Sequence, residues 1–122
     1  MNKKTRYAHY NINYHFVWIP KYRRACLDKY KEKLEEVLRT CNPDFEILAL
    51  EIQPDHVHCF LSAPPRYSPS EIVNVLKGAS SHYLGSCFVG WTRTYYVGTA
   101  GSVSSETIKR YITECQSGNK DV

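Results

Sequence analysis

Four segments of the chain have the apolar, aromatic and β-branched composition of β-strands. Residues 10–19 (YNINYHFVWI) form the first, and residues 45–53 (FEILALEIQ) and 57–63 form a second and a third on either side of a turn at residues 54–55. Residues 92–99 (TRTYYVGT) form the fourth. Because the turn is so short, we expect the second and third strands to pair as a hairpin.

Three other segments repeat apolar residues every three or four positions, which is the period of an amphipathic helix. They are residues 28–40, residues 68–84 and the final helical segment, about residues 104–116. Serines, which are preferred N-cap residues, precede the second and third of these segments: Ser68 or Ser70, and Ser104.

The predicted order is βαββαβ followed by an extra helix. Connected by right-handed crossovers, these elements form an α+β domain in which two helices cover one face of an antiparallel four-stranded sheet, the ferredoxin-like (RRM-like) arrangement. No linker, repeat or low-complexity segment divides the chain, so we expect residues 1–122 to form a single domain.

The charge of the chain is unevenly distributed. The net charge is +4, and residues 1–27 hold six basic residues and no acidic one, interspersed with tyrosine and tryptophan. Such a surface suits a polyanion with stackable bases, although a solvated strand with solubilising charges fits equally well. Residues 28–58 hold eight acidic residues against four basic ones.

The cysteines and the hydropathy exclude several classes of protein. The five cysteines are scattered and include no C-x-x-C pair, so they indicate neither a disulfide framework nor a zinc knuckle. No apolar run is long enough to span a bilayer, and the first residues lack the apolar core of a signal peptide. We expect a cytoplasmic protein without a membrane partner.

Two histidines one residue apart are candidate metal ligands. On a strand, His56 and His58 point to the same face about 6.6 Å apart, close enough for both imidazoles to bind one ion. The preceding Asp55 either orients one ring or serves only as a turn residue. The alternative is that both histidines are ordinary half-buried strand residues, and any metal site needs a third ligand from elsewhere.

Tyr111 lies at the edge of the apolar face of the last predicted helix, directly after two basic residues, Lys109 and Arg110. A tyrosine at such a position either packs with its hydroxyl at the rim or acts as a nucleophile. A phenol with a pKa near 10 needs help to attack a phosphodiester, and a bound metal gives part of that help. The two basic neighbours are suited to binding flanking phosphates.

Three blocks carry a resemblance that covers nearly the whole chain. They are YHFVWIPKYRR (residues 14–24), ALEIQPDHVHCFLSAPPRYSPSEIVNVLKG (residues 49–78) and WTRTYYVGTAGSVSSETIKRYI (residues 91–112), in this order. In these blocks the chain resembles the single-tyrosine HUH transposases of small insertion sequences, the TnpA-type proteins of the IS200-like superfamily.

The resemblance implies a DNA transposase that cuts and rejoins single-stranded DNA at hairpin-bearing transposon ends through a 5′-phosphotyrosine intermediate. It implies that His56 and His58 bind Mg²⁺ or Mn²⁺ and that Tyr111 is the nucleophile. It also implies a homodimer whose active sites pair the histidines of one subunit with the tyrosine helix of the other. Gly101 falls where the family has a hinge, so we expect the helix to be exchanged or docked across the dimer.

The chain departs from the family pattern at the third metal ligand. The family usually has a glutamine four residues after the tyrosine, whereas here Cys115 holds that position and Gln116 comes one residue later, about 100° further around a helix. We take Gln116 as the third ligand, with the oxygen donor Glu114 as its substitute. The connection between the second helix and the fourth strand is also shorter than usual.

Further basic residues are expected to contact DNA: Lys21, Arg23, Arg24, Arg66, Lys77 and Arg93, together with Lys109 and Arg110. Trp91 and Tyr95 are expected in the core. Three alternatives stay open: a domesticated, repeat-associated tyrosine endonuclease, a non-catalytic RRM-like nucleic-acid-binding module, and a metal-dependent phosphodiesterase that uses water. The RRM-like module is disfavoured because its aromatic signature motif is absent.

Overall fold

The computed structural model describes residues 3, 4, 9–99, 106, 109–111 and 113. Two short strands, β1 (Lys3–Lys4) and β2 (His9–Tyr10), pair with each other in antiparallel fashion. The elements that follow are β3 (Asn13–Trp18), α1 (Lys31–Thr40), β4 (Glu46–Gln53), β5 (His56–Ser62), α2 (Pro69–Leu84) and β6 (Tyr96–Gly98).

The four strands β3 to β6 form one sheet in the order β4-β5-β3-β6, and every neighbouring pair is antiparallel. The first of them in the chain, β3, thus lies between β5 and β6, which is the interleaved order of a ferredoxin-like sheet. The predicted α+β fold is confirmed. In this order β3 and β5 occupy the centre of the sheet, and β5 carries both candidate histidines.

Alternation along the central strands separates a core face from an open face. Phe16 and Trp18 of β3 and Val57, Cys59 and Leu61 of β5 have no solvent exposure. They pack with buried residues of α1 and α2 into a single apolar cluster. Because successive side chains of a strand point to opposite faces, the residues between them are directed to the other face.

Helix α2 begins with a reciprocal cap. The Ser68 hydroxyl accepts from the backbone N–H of Glu71, and the Glu71 carboxylate accepts from the backbone N–H of Ser68. The second of these hydrogen bonds holds the pKa of Glu71 below its ordinary value. With Pro69 at the first helical position, the cap fixes the start of the helix and selects Ser68 over Ser70.

Three elements differ in length from the prediction. Strand β3 begins at Asn13 rather than at residue 10, and α1 begins at Lys31 after a 3-10 turn, Leu27–Tyr30. The last strand is much shorter than the predicted 92–99, because it includes only Tyr96–Gly98. The carbonyls of residues 92–94 accept hydrogen bonds from the Lys77 ammonium, while the backbone N–H of Thr92 donates to the carbonyl of Ile19.

Trp91 and Tyr95 belong to the core, as predicted. Trp91 is buried, donates from its indole N–H to the Ser80 hydroxyl at 3.0 Å and meets the Trp18 ring edge-on. Tyr95 packs against the same cluster. Within the described part of the chain, no helix is long and apolar enough to cross a bilayer.

The predicted last helix is described only in part. Glu106, Lys109, Arg110, Tyr111 and Thr113 have helical backbone. Five other residues to which the sequence analysis gave a role in or next to this helix lie outside the described part of the chain: Gly101, Ser104, Glu114, Cys115 and Gln116.

Candidate active site

Both candidate histidines lie on the open face of the sheet. His56 and His58 alternate with the buried residues of β5 and are half-buried. The strand register places His58 in a row that crosses all four strands, with Glu51 of β4 on one side, Val17 of β3 on the other, and Tyr96 of β6 beyond Val17. Directly opposed residues of antiparallel strands point to the same face. The side chains of this row are therefore neighbours on one face of the sheet.

Asp55 orients the ring of His56. Its Oδ1 lies 3.0 Å from Nδ1 of His56, and the His56 side chain is 13% exposed. A carboxylate accepts, so Nδ1 is a protonated nitrogen, and in the neutral imidazole Nε2 then keeps its lone pair. A carboxylate that fixes the tautomer in this way is a common support of metal-binding histidines. Of the two roles considered for Asp55, orientation of the ring is the one that this contact supports.

His58 has polar neighbours on both strands beside it. Nε2 of His58 lies 2.9 Å from Nδ1 of His15 in β3, and Nδ1 of His58 lies 3.9 Å from Oε1 of Glu51 in β4. Burial lowers the pKa of His58, the nearby His15 and His56 lower it further, and Glu51 opposes them. The neutral imidazole that these effects favour is the form that binds metal ions.

His15 is the most buried of the three imidazoles, at 5% exposure. Its ring stacks on Phe60 with centroids 4.2 Å apart, while its Nε2 is buried without a hydrogen-bond partner among the described residues. One proton lies between His15 Nδ1 and His58 Nε2, and either nitrogen can be its donor. His15, His58, Glu51 and Phe60 together line an open depression of about 390 Å³.

His15 and Glu51 are site residues that the sequence patterns did not indicate. His15 is part of the block YHFVWIPKYRR, and Glu51 lies in the predicted second strand. Their proximity to His58 follows from the strand order and register.

The donors present, taken one by one, are of the kinds that bind divalent cations. His56 offers a lone pair on Nε2, His58 is held in its neutral form, and a carboxylate lies opposite His58. Imidazole and carboxylate together suit Mn²⁺, and the carboxylate suits Mg²⁺. Among the described residues, no three His, Cys, Asp or Glu side chains already converge on one point. The predicted third ligand, Gln116, and its substitute, Glu114, lie outside those residues.

Tyr111 lies beside β6. Its ring is 6.4 Å from that of Tyr96, measured between centroids, and its side chain is half-buried. The Tyr96 ring extends along its own strand across Gly98, where a Cβ atom would come within 2.7 Å of the Tyr96 hydroxyl oxygen. Since Tyr96 belongs to the same row as His58, Tyr111 is associated with the face that carries the histidines.

The expected DNA-contacting residues differ in their surroundings. Arg24, Arg93, Lys109 and Arg110 are exposed, and Lys21 is half-buried. Arg66 is exposed and forms an ion pair with Asp44. The side chain of Arg23 is not among the described ones.

Lys77 is engaged within the protein. Its ammonium donates to the carbonyls of Thr92, Arg93 and Thr94 at 2.8, 3.3 and 3.1 Å. An ammonium has three donors, so this lysine supports the segment before β6. Its contact with DNA stays a prediction.

The chain is similar to known transposases in sequence. The family described as "Transposase IS200 like" matches residues 8–115. ISDra2 transposase TnpA of Deinococcus radiodurans is 30% identical over 123 residues, which cover 90% of this chain and 88% of that protein. The transposase for insertion sequence element IS200 of Salmonella typhimurium is 34% identical over 123 residues, which cover 90% of this chain and 80% of that protein.

Solved structures agree with the sequence comparison. A crystal structure of a candidate transposase from Deinococcus radiodurans superposes with a TM-score of 0.78 at 35% identity, covering 93% of this chain and 97% of that one. A REP-associated tyrosine transposase bound to a REP hairpin superposes with a TM-score of 0.60 at 19% identity, covering 92% of this chain and 68% of that one, and shows a likeness of fold. The chain belongs to the IS200-like transposase family.

Proposed function

We propose that this transposase cuts and rejoins single-stranded DNA at hairpin-bearing ends of an insertion sequence, with Tyr111 as the nucleophile. The Tyr111 oxygen bonds to phosphorus as the bond from phosphorus to the 3′-oxygen breaks. The phenol loses its proton and the 3′-oxygen gains one, which leaves a 5′-phosphotyrosine and a free 3′-hydroxyl. Because the energy of the ester bond is kept, a second 3′-hydroxyl can reverse the step without ATP.

The observation that carries the proposal is that the histidines and Tyr111 lie on the same side of the sheet. His58 and Tyr96 lie in one row of the sheet, and Tyr111 contacts Tyr96. Asp55 leaves Nε2 of His56 available as a ligand. The reacting phosphate would lie between the histidine strand and the tyrosine helix.

In this proposal His56 and His58 hold Mg²⁺ or Mn²⁺. The cation supplies positive charge that stabilises the charge developing on the phosphate oxygens. The family pattern suggests Gln116 as a third ligand, with Glu114 as its substitute. Lys109 and Arg110, both exposed next to Tyr111, would bind the flanking phosphates.

Single-stranded DNA hairpins are the proposed substrate. A protein of the same fold is a tyrosine transposase solved in complex with a REP hairpin. The exposed arginines and lysines of this chain give it the positive charge that backbone contacts require: Arg24, Arg93, Lys109 and Arg110, with Lys21 and Arg66. Such contacts make affinity fall steeply as salt increases.

The test is a covalent adduct on a denaturing gel. The protein is incubated with Mg²⁺ or Mn²⁺ and a single-stranded hairpin taken from the DNA that flanks its gene. We expect an adduct with the wild type and with Tyr83→Phe, a control that alters an exposed tyrosine of α2. Tyr111→Phe and the double variant His56→Ala/His58→Ala should give none.

Other results would contradict the proposal in recognisable ways. Cleavage that persists in Tyr111→Phe would indicate hydrolysis by water. Hairpin binding without cleavage by the wild type would indicate a nucleic-acid-binding module.

A further inference from the structure

Tyr22 has a backbone conformation that a tyrosine rarely adopts. Its φ of 61° and ψ of 15° lie in the left-handed region, and among the described residues it is the one non-glycine residue with a positive φ. The turn is closed by a hydrogen bond from the N–H of Arg24 to the carbonyl of Lys21 at 3.4 Å. Glycine or asparagine takes this conformation at lower cost. Backbone preference therefore does not explain the tyrosine, and strain of this kind is concentrated at functional sites.

The segment that contains Tyr22 is anchored at both ends. The backbone N–H of Lys21 donates to the carbonyl of Gly90 at 2.8 Å. The backbone N–H of Leu27 donates to the carbonyl of Pro54 at 3.0 Å. Because both ends are held by other parts of the fold, the segment cannot easily move to relieve the left-handed conformation.

This segment lies at the end of the sheet where β5 begins with His56. Trp18, the last residue of β3, pairs with Val57, the residue next to His56. Pro54, to which the segment is anchored, comes two residues before His56. A DNA strand with one of its phosphates at the histidines would therefore extend close to Tyr22.

More than half of Tyr22 is exposed to solvent. Its exposure is 56%, so burial of the ring offsets only part of the cost of the backbone conformation. Lys21 and Arg24 are its positively charged neighbours, and residues 1–27 hold no acidic residue. An exposed ring among cations is the combination that binds single-stranded nucleic acid, because the ring stacks on a base while the cations contact phosphates.

We propose that Tyr22 stacks on an unpaired base of the single-stranded DNA that flanks the hairpin, an inference that rests on the substrate proposed above. A paired base is already stacked between its neighbours, so the ring requires an unpaired one. The flanking strand contains the phosphate to be cut, and it is the part of the substrate that reaches the histidines. The left-handed residue then has a function, because it exposes the ring from a turn that the fold holds in place.

The first measurement is the affinity for a hairpin oligonucleotide with both flanking strands, taken from the DNA next to the gene, in EDTA so that no cleavage occurs. We expect Tyr22→Asn to weaken binding about tenfold, because stacking on one base is lost. Tyr22→Phe should bind like the wild type. Tyr83→Asn, the same change at a similarly exposed tyrosine of α2, should not alter binding. On the hairpin without its flanking strands, Tyr22→Asn and the wild type should have equal affinity.

The stability of the variant separates a binding residue from a structural one. Asparagine adopts the left-handed conformation more readily than tyrosine, so Tyr22→Asn should be at least as stable as the wild type in urea denaturation. The dependence of affinity on salt should also be unchanged, because a neutral ring displaces no counterions from DNA.

Photocrosslinking of the wild-type protein tests the contact directly. The unpaired bases of the flanking strands and the bases of the stem are replaced one at a time by 5-iodouracil, which crosslinks on irradiation to an aromatic ring stacked on it. Mass spectrometry identifies the modified residue. We expect a crosslink to Tyr22 from a flanking position and none from the stem.

The outcomes distinguish this inference from the proposed function. Four results would overturn the role of Tyr22 and leave cleavage by Tyr111 untouched: unchanged affinity in Tyr22→Asn, an equal loss on the bare hairpin, a loss of stability together with affinity, or no crosslink to Tyr22 from a flanking base. Failure of the wild type to bind the flanked hairpin would overturn both proposals. Binding by the wild type without a covalent adduct in Mg²⁺ or Mn²⁺ would overturn the cleavage reaction alone.

Discussion

The two carboxylate–imidazole contacts decide which nitrogens of the histidines are available to a cation. Asp55 accepts from Nδ1 of His56, which leaves Nε2 with its lone pair. Glu51 faces Nδ1 of His58, whose other nitrogen is engaged by His15. The two histidines thus have different partners, although they are two residues apart on one strand.

Removal of the Asp55 carboxylate should weaken the cation site without changing its ligands. We expect Asp55→Ala to lower the affinity for Mn²⁺ by about tenfold to a hundredfold, because the His56 ring loses its fixed tautomer and orientation. Asp55→Asn should lie closer to the wild type, since its amide oxygen still accepts from Nδ1. Titration calorimetry measures both, with Glu36→Ala on the exposed side of α1 as the control. Equal affinities in Asp55→Ala and the wild type would contradict this role.

At the level of single residues, the sequence predicted the site only in part. His56, His58 and Asp55 share one short motif, and their neighbourhood follows from strand alternation. His15 and Glu51 reach His58 only through strand pairing, and β4 has an irregular register between Ile47 and Ala49. A shift of one residue reverses the face of every side chain that follows, so a pattern along one strand cannot predict a pairing across two.

At the level of elements, β6 is the least regular part of the sheet. Only three residues join the ladder, and the preceding segment is held by Lys77 of α2 through three carbonyls. The composition of residues 92–99 predicted one long strand, because local propensity contains no information about a lysine 15 or more positions away. Strands β3 to β5 and helices α1 and α2 were predicted to within a few residues at each end, whereas the pairing of β1 with β2 was not predicted.

Replacement of Lys77 should therefore destabilise the fold. We expect Lys77→Met, which keeps most of the aliphatic stem, to lower the free energy of unfolding by about 1 to 3 kcal/mol, since charge-assisted hydrogen bonds to the carbonyls are lost. Lys33→Met, at an exposed position of α1, should change it little. Urea denaturation measures both. An unchanged stability combined with weaker, less salt-dependent hairpin binding would instead assign Lys77 to DNA contact.

At the level of the whole molecule, the tyrosine and the histidines of one chain lie on the same side of the sheet but two strands apart. Tyr111 lies against Tyr96 of β6, whereas His58 belongs to β5, and β3 lies between these strands. Two strand spacings of about 4.8 Å place the backbones of Tyr96 and His58 about 10 Å apart. The family resemblance implies a homodimer, and we propose that each active site takes its tyrosine from the partner subunit.

A mixed dimer tests that proposal directly. Chains carrying His56→Ala/His58→Ala and chains carrying Tyr111→Phe are co-expressed with different tags, and the dimers that bear both tags are isolated. If sites are shared, one of the two sites joins intact histidines to an intact tyrosine, so we expect about half the adduct of the wild type. All of it should be on the chain that lacks the histidines, because only that chain keeps Tyr111. If each chain uses its own tyrosine, every site lacks one component and the mixed dimer forms no adduct.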